Sequence, residues 1–72
     1  MPSVRLEDPD TALVVRATCR ESTPRGPMVT IEISRPGRTG HEAFQVATDA
    51  PIDVTALTVV ARAILRVTTV NT

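Results

Sequence analysis

Between Leu13 and Ala47 the chain runs three times through apolar and polar side chains with a period of two, and turn-forming residues close the first two runs. In the first, Leu13, Val15, Ala17 and Cys19 share one face while Val14, Arg16, Thr18 and Arg20 share the other. In the second, Val29, Ile31 and Ile33 alternate with Thr30, Glu32 and Ser34; in the third, Phe44 and Val46 point one way and Ala43, Gln45 and Ala47 the other. A period of two places successive side chains on opposite sides of an extended backbone, so each run predicts a half-buried strand. Pro24, Gly26 and Pro27 break the chain after the first run. Pro36 and Gly37 suit the central positions of a type II turn after the second, because proline presets one φ and glycine accepts the positive φ that follows.

Short connections make sequential strands pair, which predicts an antiparallel meander with the second strand in the middle. Opposing inward residues with inward residues then sets Val15 beside Ile33, Ala17 beside Ile31, Cys19 near Val29, Ile31 beside Phe44 and Val29 beside Val46. On the outer face the same register puts Arg16 across from Glu32.

Residues 1–10 carry Pro2, Pro9 and the acidic group Glu7, Asp8 and Asp10, which reads as an extended acidic arm outside the sheet. At the other end, Pro51 and Asp53 form a helix start, and Ala56, Leu57, Ala61, Ala63 and Leu65 favour helix over the opposing pull of many β-branched residues. Thr55, Thr58, Arg62, Arg66 and Thr69 recur at spacings of three and four and trace one narrow polar stripe. One flank of that stripe holds Val54, Leu57, Ala61, Ile64 and Leu65, the other Ala56, Val59, Val60, Ala63, Val67 and Val70. A helix apolar on both flanks cannot satisfy itself on a single sheet face. The expectation is therefore an α+β fold, a three-stranded antiparallel meander followed by one C-terminal helix (βββα), with residues 11–72 as a single domain that is oligomeric.

Composition removes several function classes. Seventy-two residues support one small core, and one cysteine allows no internal disulfide, so association is the expected source of extra stability. Eight arginines balance eight acidic residues, leaving no net field to attract nucleic acid or an anionic membrane. Lysine is absent, a usage typical of GC-rich genomes. Phe44 is the sole aromatic residue, which removes stacking platforms for bases, sugars or flat cofactors. The start of the chain has no signal-peptide pattern, and nowhere do eighteen apolar residues follow one another. A cytoplasmic protein, or a virion component if phage-encoded, is the expected setting.

No catalytic constellation can be assembled. Cys19 and His41 are the only cysteine and histidine, and the register separates them by five residues along the sheet, on the order of 17 Å and on opposite faces. No ligand spacing of a zinc or calcium site occurs, and Gly37, Thr39 and Gly40 lie in a hairpin rather than between a strand and a helix, which rules out phosphate-binding glycine patterns. The expectation is no catalytic residue, no metal and no cofactor.

Two binding readings are left. The first is a non-enzymatic assembly or interaction protein, self-associating as a homodimer or higher oligomer or docking on a larger assembly, with Leu57, Val60, Ile64, Val67 and Val70 as the contact and Val14 as a secondary spot. A small phage virion component or accessory protein fits that reading. The second, less favoured, is a small DNA-binding domain using Arg16, Arg20, Arg35 and Arg38 on the exposed sheet face. In element order the layout resembles the arm-binding domain of some phage integrases, a likeness that implies DNA contact through the sheet and carries over no individual residue.

Overall fold

The computed structural model describes residues 2–21, 23–37, 40 and 42–70. It is an α+β arrangement of four antiparallel strands and one helix: β1 (Ser3–Glu7), β2 (Val14–Arg20), β3 (Met28–Ser34), β4 (Glu42–Ala47) and α1 (Val54–Val70), with sheet order β1-β2-β3-β4.

The expected pairings hold residue for residue. Val15 opposes Ile33, Ala17 opposes Ile31, Cys19 opposes Val29 and Arg16 opposes Glu32 across β2 and β3, and Ile31 opposes Phe44 and Val29 opposes Val46 across β3 and β4. A one-residue slip would turn every buried side chain out to solvent, which is why the hydrophobic pattern fixes the register so tightly.

Three strands are corrected to four. Ser3–Glu7, expected as part of an arm, pairs along its whole length with β2, Val4 opposite Ala17 and Leu6 opposite Val15. Pro2 and Pro9 bound this strand rather than exclude it, since proline is tolerated just outside a strand where no ladder hydrogen bond is lost. Pro2 itself supplies a carbonyl that accepts from the Cys19 amide at 3.0 Å. Asp8 builds the hairpin: its Oδ2 accepts from the Thr11 amide at 3.1 Å and from Thr11 Oγ1 at 2.6 Å, while its backbone exchanges bonds with Ala12 and Leu13. This Asx-type local bonding converts a residue that looked like part of an acidic run into a turn former. The centre of the sheet accordingly lies between β2 and β3 rather than on a single middle strand.

Gly37 has φ of 76°, as the Pro36-Gly37 turn requires. The helix begins where the sequence placed it: the Asp53 Oδ1 accepts from the Ala56 amide at 2.9 Å, satisfying one of the orphan donors at a helix N-terminus. Threonines within α1 turn their hydroxyls onto carbonyls one turn back, as in Thr58 to Val54 and Thr68 to Ile64, both 2.7 Å, so their polar atoms sit comfortably beside apolar neighbours.

The core consists of Val15, Ala17 and Cys19 from β2, Val29, Ile31 and Ile33 from β3, Leu13, and Leu57 and Ala61 from α1, with Val4, Leu6, Ile52, Ile64 and Leu65 packed around it. The helix lies on β1 and β2. Its weight is therefore carried by one side of the sheet, and every residue of β4 is exposed.

Candidate functional site

The off-centre helix leaves a step. Its riser is the flank of α1 that faces β4, and its tread is the inner face of β4 with the end of β3. Ile33 and Phe44 from the sheet and Ala63, Ile64, Val67 and Thr68 from the helix line a groove of about 310 Å³ along this step. Phe44 and Val46 sit on the same sheet face as buried Ile31 and Val29, yet they stay 45% and 49% exposed because nothing lies above them. Beside them Val67 is 60% and Val70 78% exposed on the helix. Phe44 and Val46 thus face inward as expected but are uncovered, for the physical reason that β1 shifts the middle of the sheet, and the helix with it, away from β4.

The contact residues read from sequence divide. Leu57 is fully buried and belongs to the chain's own core, so it cannot meet a partner. Ile64 is half-buried and packs against that core while its outer side lines the groove. Val60, Val67 and Val70 are exposed, and together with Val59 and Ala63 they form the second apolar flank that the helical spacing set apart. What the sequence missed is the sheet's share of the site: Phe44 and Val46 face inward as expected, but they are left uncovered. The signal that could have found them is the period-two alternation of Val4 and Leu6 with Ser3, Arg5 and Glu7, which adds a strand at the opposite edge.

The outer sheet face is polar. Arg16 and Arg20 lie on it exposed, and Arg5 stands in the rung beside Arg16, a third arginine the sequence reading did not include. Arg35 is directed elsewhere, its Nε 3.3 Å from Glu42 Oε1 in an ion pair. Arg38 and His41 lie outside the described residues. Val14 is half-buried on this face, opposite Ser34 and Glu7. At the end of the face nearest the β2–β3 connection, Arg20, Thr23, Arg25 and Gln45 border a shallow hollow of about 250 Å³.

Cys19 is buried as a free thiol in the core. Among the described residues there is no group of three or more histidine, cysteine or acidic side chains placed to hold a metal ion, and no helix is long and apolar enough to cross a membrane. No protein-family model, curated protein or solved structure matches the chain.

Proposed function

We propose that this chain is a non-enzymatic interaction protein that works by docking through the apolar step between α1 and β4. The observation that carries this reading is the exposure of Phe44 and Val46 on the sheet face that the helix otherwise buries, next to a helix flank built of Val59, Val60, Ala63, Val67 and Val70. Aliphatic and aromatic side chains gathered on a concave surface gain free energy on leaving water, about 25 cal/mol per Å² of apolar area covered. A small virion component or an accessory protein of a phage or bacterium is a setting in which such a chain would serve, and the arginine-only usage agrees with a GC-rich genome.

A hydrophobic fluorescent dye tests this at high dilution. Dye binding is expected, and Val67→Glu is expected to reduce it strongly while leaving the helical circular dichroism spectrum intact. Absence of dye binding at every dilution would contradict the reading.

DNA contact is the second reading, and Arg5 beside Arg16 and Arg20 favours it more than the sequence did. Against it stand Glu32 in the adjoining rung, the Arg35–Glu42 pair and a formal net charge of zero, since phosphate contacts need clustered excess charge. A gel shift at low salt separates the two readings, because only a DNA-binding face gives affinity that falls steeply with salt.

A further inference from the structure

We infer that β4 pairs edge to edge with β4 of a second copy of this chain, joining two four-stranded sheets into one. The inference goes beyond the docking reading, since it uses the backbone edge of β4 and leaves the step between α1 and β4 open.

The sheet ends in β1 on one side and β4 on the other, and the two edges are built differently. Backbone groups alternate along a strand, so an edge offers only every second residue to a new neighbour. The Thr48 amide donates to the Pro27 carbonyl at 3.1 Å, in phase with the register that opposes Val29 and Val46. Val46, Phe44 and Glu42 therefore bond toward β3, and Ala43, Gln45 and Ala47 turn their N–H and C=O groups to the open side. On β1 the Cys19 amide donates to the Pro2 carbonyl and the Asp8 amide to the Leu13 carbonyl, which leaves Ser3, Arg5 and Glu7 as the open residues.

Sheets guard their free edges with charge, proline or a bulge. The β1 edge is guarded, because two of its three open residues are charged and Pro2 and Pro9 bound it. From Ala43 to Ala47 the β4 edge carries no charge, no proline and no glycine, and its register with β3 runs without a bulge. The connection to α1 also leaves this edge clear, since Thr48 bonds on the β3 side and Ile52 packs against the core.

Self-complementarity names the occupant. A two-fold axis perpendicular to the sheet at Gln45 opposes Gln45 with its own copy and Ala43 with Ala47 of the second copy. Every open residue then meets an open residue, and the three pairs exchange six backbone hydrogen bonds. The same register sets Phe44 against Val46 of the second copy twice, in non-hydrogen-bonded positions where side chains approach most closely and aromatic and β-branched residues pair well. The two Glu42 carboxylates stand six residues apart along the pair, about 20 Å. An axis at Phe44 would instead oppose Glu42 with Val46. The matching arrangement of β1 with itself would oppose Arg5 with Arg5, a like-charge pair. Because α1 rests on β1 and β2, the two helices lie on the same side of the joined sheet about 29 Å apart, well clear of each other. Between them Phe44 and Val46 of both copies form one apolar floor. Pairing through a single strand gives an interface at the small end of the usual range, so the dimer is weak and reversible.

Amide hydrogen exchange and sedimentation of the full chain, from micromolar to millimolar concentration, test the inference. The amides of Ala43, Gln45 and Ala47 should exchange fast in dilute solution and become protected as the mass doubles, whereas those of Phe44 and Val46 should be protected throughout. Gln45→Pro removes an N–H that β3 does not use, so it should leave the circular dichroism unchanged and raise the dissociation constant about 100-fold or more. A second pair of variants does not depend on proline being tolerated. Gln45→Lys and Gln45→Glu should each associate more weakly than the natural chain, and their equimolar mixture should bind about 10-fold more tightly than either alone. A strict monomer at millimolar concentration leaves the edge to a strand of some other protein and overturns the second copy. Assemblies larger than a dimer would mean head-to-tail pairing of β4 with β1 and overturn the two-fold. A dimer that folded Gln45→Pro leaves intact, or a mixture no tighter than its components, overturns the pairing of Gln45 with itself.

Discussion

Strands β2 and β4 have the same alternation and similar lengths, yet they reach opposite fates. On β2 the inward residues Val15, Ala17 and Cys19 are fully buried beneath α1; on β4 the inward residues Phe44 and Val46 stay about half exposed. The difference does not lie in the strands themselves. The helix rests on β1 and β2, and the sheltered inward residues end with those of β3, so this four-stranded sheet with one helix leaves β4 to something else. Position in the sheet, more than side-chain type, decides which valine is core and which is surface.

The strongest way to break this comparison is to truncate one residue of the covered strands and its uncovered neighbour on β4. Ile31→Ala, at the buried centre, should cost about 2–5 kcal/mol in urea denaturation, whereas Phe44→Ala, although it removes a larger side chain, should cost under about 1 kcal/mol in dilute solution. Comparable losses would mean that Phe44 is buried in the isolated chain and that β4 is covered like its neighbours. The edge strand comes next. Leu6→Ala should cost about 1–2 kcal/mol by the same measurement, because Leu6 packs against the core while part of its surface is already exposed to water. No loss would detach β1 from the cooperative unit and return the helix to the middle of a three-stranded sheet.

Smaller effects sharpen the picture at the ends of the covered half. Asp53→Ala should lower stability by about 1 kcal/mol through loss of the bond to the Ala56 amide, with Asp53→Asn close to neutral. Arg35→Ala should shift the thermal midpoint least of all, within about 0.5 kcal/mol, because its partner Glu42 is largely exposed and water screens the pair. Added salt should remove even that difference.

The sequence revealed most of this fold because the strongest signals were local. Alternation fixed the register of β2, β3 and β4, proline with glycine at 36 and 37 fixed a turn, and Asp53 marked the start of α1. The site was only half legible for a related reason. Helical spacing separated the flank with Val60, Val67 and Val70 from the flank with Leu57, Ala61 and Ile64, but placing Leu57 in the core required knowing which flank meets the sheet. Placing Phe44 on the surface required counting the strands. A five-residue run flanked by prolines and leading into the acidic group Glu7, Asp8 and Asp10 gave too short a pattern to be read as a strand, and the hairpin that pairs it is held by Asp8 side-chain bonds that periodicity does not register.

The asymmetry of the sheet is tested most directly by methyl NMR with an inert paramagnetic cosolute, recorded in dilute solution. The methyls of Val46, Val59 and Val67 should be strongly broadened while those of Val15, Ile31 and Leu57 are not. Protection of Val46 and Val67 equal to that of Val15 and Ile31 would contradict the uncovered step between α1 and β4.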